Sequence, residues 1–381
     1  MDSPTPRRVT LGRLRFPVEA SQGRRYPEPP HRYRDDFQRD RGRIVHSRAF
    51  RRLENKTQVF GAGLDDHFRN RLTHTIEVAQ IARATAAALG LNEELTETLA
   101  LAHDIGHPPF AHSGEEELNR QMARFGDRFD HNLHALRIVE QFEQRYAGFP
   151  GLNLTFEVRE GMVKHSRDIR EEDAEALSEY LPDQRPPLEA QLIDLADEIA
   201  YNTADLDDGY AAELFGLDDA AAEVPRVGAL RGEVEAAYPA AEERIVFQEI
   251  VRRLVNDLAS GLIEGTEAAA VESDAESWRD VRRLPRRIAR MTADAAATDA
   301  NLKSLLRRRV YYSEALVAER KAAAAQVARL FQHYVEKPAA MPENYLRQTG
   351  STPVYRVVCD YVAGMTDRYF RRTYREVFGA G

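Results

Sequence analysis

Apolar residues recur at every third or fourth position along most of this 381-residue chain, which is the spacing of amphipathic helices. Residues 71–89 show the pattern, and residues 188–206 repeat it after two consecutive prolines. We find no convincing run of the alternating positions typical of strands, and no fixed-period repeat. The pattern predicts an all-α fold: a multi-helix bundle with a helical C-terminal extension.

Helix boundaries are indicated by residues that cap or interrupt helices. Asn92 is a candidate N-cap for a helix running to about Ile105, and Thr155 for a helix through Val163. Prolines make residues 1–38 irregular, and Gly61–Gly63 predicts a turn. The other predicted helices are 39–53, 188–206, several segments within 217–300 with breaks at Pro225 and Pro285, 303–334 and 357–370.

These elements suggest four regions along the chain. A chain of 381 residues is long enough for one large domain with additions, or for two domains. The predicted order is an irregular basic arm (residues 1–38), a helical core that contains most of the histidines (39–215), a helical extension of that core (216–335) and a C-terminal helical tail (336–381).

The net charge of −9 is unevenly distributed. Residues 1–56 contain 15 Arg and Lys against 7 Asp and Glu, a local charge of +8, so the remainder carries −17. A basic arm on an acidic body can bind polyphosphate, nucleic acid or a neighbouring subunit. It can equally pack against acidic surfaces of its own protein, and for residues 1–38 both interpretations stay open. The run from Arg43 to Lys56 favours a functional role, because it leads into a His-rich region.

Composition narrows the class of protein. Apolar residues at 43% and charged residues at 30% describe an ordinary soluble globular protein. The single Cys359 excludes an internal disulfide framework and fits a reducing compartment. No signal peptide is visible, and no stretch approaches about 18 consecutive apolar residues. We therefore expect no membrane partner and a cytoplasmic location.

Histidines concentrate in one part of the chain. Seven of the 11 histidines fall within residues 67–134: His67, His74, His103, His107, His112, His131 and His134. Together with the adjacent Asp104 and the later Asp197, His74 and His103 supply two imidazoles and two carboxylates. This donor set suits a divalent cation that holds a phosphate and a water at once. A lone His-Asp pair is common and usually uninformative; the combination singles these residues out.

Two further groups of polar residues accompany these candidate ligands. His112 and Glu115 lie three apart at a predicted helix start, where Glu115 can orient His112 as an acid or base. Alternatively, Glu115 only complements the helix dipole. Asp197, Tyr201 and Asp205 are spaced by four and share one helix face. An aromatic ring there can stack on a sugar or base and a carboxylate can accept from a ribose hydroxyl; the alternative is a solvated acidic face.

Five segments together resemble the HD-domain deoxynucleoside triphosphate triphosphohydrolases, the bacterial dGTPase-like group. The loop Gly-His-Pro-Pro-Phe-Ala-His-Ser-Gly-Glu at residues 106–115 is the most specific of them, whereas a bare His-Asp pair is not. The resemblance runs from about residue 31 to 375 and is least distinctive over 210–300. The matching segments are 43–60, 69–75, 102–115, 197–202 and 357–369.

The resemblance implies roles for individual residues. His74, His103, Asp104 and Asp197 are similar to the family's metal ligands. His112, supported by Glu115, resembles the catalytic group in line with the scissile bond, and His131 a catalytic neighbour or phosphate contact. The implied substrate contacts are Gln58, Arg71, His107, Tyr201, Asp205, Lys303, Arg307 and Tyr311. Among these, Arg71 resembles a phosphate clamp, and Tyr311 the ring that crowds the 2′ position.

The implied reaction is metal-dependent hydrolysis of dNTPs, dGTP or several of them, to a deoxynucleoside and inorganic triphosphate. The implied ion is Mg²⁺ or Mn²⁺, with Fe, Co, Ni or Zn also compatible. The implied partners are a dNTP effector, further copies of the chain in a tetramer or hexamer, and single-stranded nucleic acid on the basic arm. Two alternatives stay open. One is another HD-type phosphohydrolase, namely a nucleotide monophosphatase or an alarmone or cyclic-dinucleotide hydrolase. The other is a nucleotide-sensing or nucleic-acid-binding module with an inactive site.

Overall fold

The computed structural model describes residues 11–59 and 68–379, and its regular structure is helical. Within these residues pairing of extended backbone is limited to isolated bridges, and no strand forms. The predicted all-α class is therefore confirmed. The predicted turn at Gly61–Gly63 and His67 lie outside the described residues. The α-helices are α1 (Asp36–Val45), α2 (Arg48–Arg52), α3 (Arg71–Leu89), α4 (Glu93–Ala102), α5 (Ala111–Ala123), α6 (His131–Arg137), α7 (Phe156–Val163), α8 (Leu188–Ala211), α9 (Leu217–Glu223), α10 (Pro225–Ala237), α11 (Glu243–Glu272), α12 (Trp278–Arg283), α13 (Ala293–Leu306), α14 (Glu314–Glu336), α15 (Glu343–Leu346), α16 (Val354–Ala363) and α17 (Asp367–Phe378).

Two compact units are interleaved along the sequence. The first unit comprises the described residues of Met1–Gly42, Ile76–Leu101 and Leu154–Ser313. The second comprises those of Arg43–Thr75, Ala102–Asn153 and Glu314–Gly381. Among the described helices, none combines the length and apolar character that crossing a membrane requires.

The first unit is built around the long helix α8, which packs against α11 and α13, while α10 packs against α9 and α11. Its apolar side chains, such as Leu192, Leu206 and Leu258, are buried. Thr155 precedes α7 as predicted, but its hydroxyl donates to the buried Asp40 at 2.7 Å and does not cap the helix. The side-chain cap predicted there is therefore replaced by a tertiary hydrogen bond.

The second unit is organised by α14, which packs against α5 and α16. Its core joins Leu118 of α5, Val327 of α14 and Val358 of α16 to Phe370 of the last helix. The C-terminal helices therefore share one apolar core with the helix that begins at the His-rich loop.

Several helices match the sequence prediction closely. α3 occupies residues 71–89 as expected. Asn92 caps α4 by accepting from Leu95 N at 3.1 Å. α4 ends at Ala102, three residues before the predicted end at Ile105. His103 and Asp104 therefore lie just beyond the helix.

Three predicted helices are each divided in two. Ser47 caps α2 by accepting from Phe50 N at 3.0 Å, which separates α2 from α1. The predicted helix 303–334 is α13, a π-helical turn at Arg307–Tyr311 and then α14. The predicted helix 357–370 ends at Ala363, and Thr366 caps α17. In each case the continuous apolar pattern concealed a local break.

Candidate metal centre and active site

The end of α4 brings three candidate ligands together in the second unit. One ligand atom each from His74, His103 and Asp104 lie within 4.8 Å of one another. The three residues are 1%, 2% and 4% exposed. Consecutive residues inside a regular helix diverge by about 100°, so His103 and Asp104 converge because the helix has already ended. Gly106 allows this segment to pack closely against α6, since a Cβ there would lie 2.0 Å from the carbonyl oxygen of His131.

Asp104 also contacts Arg71 and His107, which lie beside this cluster. Its Oδ2 accepts from Arg71 Nη1 at 2.6 Å, and its Oδ1 lies 2.9 Å from His107 Nδ1. Burial favours the neutral acid, but the charge of Arg71 and the neighbouring histidines hold the pKa of Asp104 well below its usual range. Asp104 is therefore a carboxylate, and each oxygen keeps a second lone pair for another partner.

The three groups fit a divalent cation. Two imidazoles and a carboxylate are ligands that Mn²⁺, Fe²⁺ and Zn²⁺ accept, and Mg²⁺ takes the carboxylate readily. Burial and short spacing match the requirement that ligands be held in place before the ion arrives. The second unit thus brings together three groups that could bind a metal ion.

A second cluster surrounds Glu115, the fifth residue of α5. Glu115 Oε1 lies 2.7 Å from His131 Nδ1 and accepts from His131 N at 3.1 Å. His112 Nδ1 lies 3.8 Å from Glu115 Oε2, and the His112 side chain is 67% exposed. The His131 ring stacks on His107 at 3.9 Å between ring centroids. Glu115 is therefore closer to His131 than to His112, the partner expected from the sequence.

The protonation of this cluster is set by its contacts. Burial alone raises the pKa of Glu115, but His112 and His131 outweigh it and hold that pKa far below the ordinary value. Burial and the charge of Arg71 lower the pKa of His107 well below its usual range. Glu115 is therefore ionised and His107 is a neutral imidazole.

The loop that carries His107 and His112 has unusual backbone geometry. Phe110 and Ala111 both adopt the left-handed region, with φ of 65° and 52°. For residues other than glycine this costs on the order of 1 kcal/mol or more each. Gly114 removes a further conflict, since a Cβ there would lie 1.9 Å from Pro109 O. The loop therefore depends on tertiary contacts to keep its shape.

Lys56 is a buried cation beside this loop that was not among the predicted site residues. Its Nζ donates to the carbonyl oxygen of His107. Burial, together with the charges of Arg52 and Arg71, lowers the pKa of Lys56 to about 7. Its place in the basic run before the His-rich region was the available signal, but sequence alone did not separate it from the surface arginines.

Two buried polar atoms near Lys56 have unused hydrogen-bonding capacity. Gln58 Oε1 and Arg71 Nε have no hydrogen-bond partner among residues 11–59 and 68–379. Buried polar atoms normally find a partner, so these two atoms are available to a ligand or a water molecule. Both residues were predicted as substrate contacts.

In the first unit, Asp197 belongs to a group of charged residues at α8. His165, which lies just after α7, is 2.9 Å from Asp194 Oδ1 through Nδ1 and 3.7 Å from Asp197 Oδ2 through Nε2. Burial alone would lower the pKa of His165, but the hydrogen bonds and charges of the two carboxylates outweigh burial and raise that pKa to about 10. Sequence reasoning missed His165, because no motif surrounds it.

Further along α8, Asp205 meets the tyrosine expected to contact the sugar. Tyr311 OH donates to Asp205 Oδ2 at 2.5 Å, and the rings of Tyr201 and Tyr311 are 6.0 Å apart between centroids. Burial and the charge of Asp205 raise the pKa of Tyr311, so its hydroxyl remains a donor. The structure thus brings these three predicted residues together.

Lys303 and Arg307 take different partners. Lys303 pairs with Glu198 and, at 3.0 Å, with Asp299. Arg307 opens the π-helical turn and lies over the ring of Tyr312 at 5.6 Å. Arg307 and Tyr311 are the first and last residues of this π-helical turn, in which each turn holds more residues than in an α-helix.

Two family models match separate parts of this helical chain. Residues 71–202 match the HD domain, and residues 289–376 match the phosphohydrolase-associated domain. A deoxyguanosinetriphosphate triphosphohydrolase-like protein of Caulobacter sp. (strain K31) is 42% identical over 371 residues, covering 94% of each chain. One from Azoarcus sp. (strain BH72) is 44% identical over 374 residues, covering 98% of each. The chain belongs to the family of deoxyguanosinetriphosphate triphosphohydrolase-like proteins.

Proposed function

We propose that this protein hydrolyses deoxynucleoside triphosphates to a deoxynucleoside and inorganic triphosphate. The observation that carries the proposal is the buried group of His74, His103 and Asp104, with Arg71 bonded to the carboxylate. The names of the relatives support the substrate class, because the similarity extends over almost the whole chain.

The proposed cofactor is one divalent cation, Mg²⁺ or Mn²⁺ before the other metals that this donor set accepts. His74, His103 and Asp104 would hold it, and the resemblance adds Asp197 as a ligand. When bound, such an ion activates water and neutralises charge on phosphate oxygens.

The chain's own cations would hold the phosphates. Arg71 donates one N–H to Asp104 and has Nε without a partner among the described residues, so it can clamp a phosphate oxygen without losing its position. His107, neutral and fixed beside Asp104, offers a further contact. Arg307 and Lys303 are proposed contacts for the outer phosphates; Lys303 would exchange part of its pairing with Glu198 and Asp299.

Proton transfer would involve His112 and its neighbours. The ionised Glu115 accepts from His131 Nδ1, which orients the ring and leaves Nε2 available for a contact with the substrate. His112 is accessible enough to meet a substrate and would either protonate the leaving 5′-oxygen or position the nucleophile.

Sugar selection is proposed for the face of Tyr201, Asp205 and Tyr311. The carboxylate of Asp205 would accept the 3′-hydroxyl, and Gln58 Oε1 would accept from the sugar. The Tyr311 ring, fixed by its bond to Asp205, would exclude a 2′-hydroxyl by crowding. These contacts to the sugar would supply binding energy that aligns the α-phosphorus for attack.

The resemblance further supports a dNTP effector, a tetramer or hexamer, and a cytoplasmic location as proposals. The basic arm is a proposed contact for single-stranded nucleic acid.

The test is product analysis with pure protein. Each dNTP, singly and mixed, is incubated with Mg²⁺ or Mn²⁺, and the products are separated by ion-exchange chromatography. Inorganic triphosphate in equal amount to deoxynucleoside is the expected result. Stepwise release of phosphate would indicate another HD phosphohydrolase. Tight DNA binding without any turnover would indicate a binding module. His103→Ala, purified identically, controls for contaminating phosphatases.

A further inference from the structure

A single carboxylate of the C-terminal helix α17 contacts two separate segments of the candidate active site. Asp367 Oδ2 accepts from Thr57 N at 3.0 Å and from the Thr57 hydroxyl. Its Oδ1 accepts from Phe110 N at 3.1 Å. Asp367 is buried, so these bonds form away from competing water. All three residues belong to the second unit.

The bond to Phe110 acts where the His-rich loop is most strained. Phe110 is the first of the two consecutive left-handed residues, and α5 begins at the second. Its ring packs edge-on against Phe370 at 5.0 Å, and Arg371 lies over it at 5.1 Å. The helix α17 therefore contacts both the backbone and the ring of Phe110, which lies two residues before His112.

The bond to Thr57 acts on the segment that carries Lys56 and Gln58. Lys56 donates to the carbonyl oxygen of His107, and Lys56 O accepts from Arg71 N at 3.1 Å. This segment therefore borders both the loop and the first turn of α3. Asp367 therefore bonds to both the Lys56–Gln58 segment, through Thr57, and the His-rich loop, through Phe110, and these two segments also contact each other through Lys56.

We propose that Asp367 is a positioning residue, which holds the loop Gly106–Glu115 against the segment Lys56–Gln58 so that His112 meets the substrate. The proposal rests on the proposed function. Asp367 lies within the region matched by the phosphohydrolase-associated domain, so this region would help to position the active-site loop.

The decisive variant is Asp367→Asn, which keeps the shape but turns an N–H₂ group toward Phe110 N or Thr57. The matched control is Thr366→Ala, which removes the cap of the same helix without a bond to either segment. kcat, KM and thermal unfolding are measured for both, with metal content by mass spectrometry. We expect Asp367→Asn to lower kcat about 10- to 100-fold with KM and metal content near wild type, as misplacement of a catalytic group does.

Thr366→Ala should lower the unfolding temperature, because loss of a helix cap costs stability. It should leave kcat within about twofold, because the Thr366 hydroxyl accepts from Tyr369 N of its own helix and the bonds of Asp367 remain. Thr57→Val, which removes only the hydroxyl bond, should fall between Asp367→Asn and wild type in kcat. Wild-type kcat in Asp367→Asn, or an equal loss of kcat in Thr366→Ala, would overturn the positioning role. Absent triphosphate release by the wild-type protein would instead overturn the proposed function.

Discussion

Arg71 donates to Asp104 at 2.6 Å, and both side chains are almost completely buried. Arg71 lies three residues before one candidate ligand, and Asp104 is another, so the ion pair joins the proposed phosphate clamp to the candidate metal centre. A pair of this kind is costly to break, because the surviving charge is left buried without its partner.

Replacing Arg71 should therefore damage both stability and activity. We expect Arg71→Ala to lower the free energy of unfolding by about 3 kcal/mol, as removal of one partner from a buried ion pair does. Chemical denaturation measures it. Arg71→Lys, which keeps the charge but not the forked geometry, should recover most of the stability and little of kcat/KM. Full recovery of activity by lysine would contradict the clamp.

His112→Ala should separate chemistry from metal binding. The side chain is largely exposed, so its loss should leave the unfolding temperature unchanged. We expect turnover to fall at least about 100-fold, the usual contribution of an acid or base, while the metal content stays constant. Near-normal rates in this variant would exclude the role given to His112.

Loss of a ligand should remove ion and turnover together. For His74→Ala and Asp197→Ala we expect reduced metal content by mass spectrometry and no measurable triphosphate release. Chelation of the wild-type protein should have the same effect, and adding Mg²⁺ or Mn²⁺ should reverse it only in the wild type. Retained metal in Asp197→Ala would remove Asp197 from the ligand set.

Lys56 should make stability depend on pH. Its pKa is lowered to about 7 in the folded chain from 10.5, so the unfolded chain binds more protons between these values. The free energy of unfolding should therefore rise with pH from about 7 to about 10.5 through this group, by up to a few kcal/mol. Lys56→Met should stabilise the protein at pH 6 and have a much smaller effect at pH 10, measured by denaturation at each pH. An equal effect at both values would contradict the depressed pKa.

Tyr311 should set the preference for deoxyribose. We expect Tyr311→Ala to reduce the ratio of kcat/KM for dGTP over GTP by about tenfold or more, because the 2′ position is no longer crowded. Tyr311→Phe keeps the ring and should retain most of the ratio. If phenylalanine lost the preference as fully as alanine, the hydroxyl rather than the ring would be responsible.

The sequence predicted helices correctly where capping residues and the spacing of apolar residues indicate the same boundaries. α3 and the cap at Asn92 are examples, since the apolar face and the side-chain cap are both local. The breaks at Ser47 and Thr366 were missed because apolar positions continue through them. The interleaving of the two units depends on contacts between distant residues, which a single sequence does not reveal.

The sequence indicated which kinds of side chain lie together better than it indicated which residue each one contacts. The cluster of His74, His103 and Asp104 could be anticipated from its donor set. His165 and Lys56 could not, because their altered pKa values arise from burial and from charges brought near by folding. Glu115 was paired with His112 from spacing alone, whereas its shortest contact is with His131, sixteen positions later.

The π-helical turn at Arg307–Tyr311 makes the proposed sugar selection by Tyr311 sensitive to the number of residues in the chain. Deleting one residue there would restore an ordinary helical turn and rotate the residues after the deletion by about 100°. Tyr311 would then leave Asp205, although no amino acid in contact with a sugar had been exchanged. Single-residue insertions and deletions at this turn are thus a route by which related chains could acquire a different nucleotide preference.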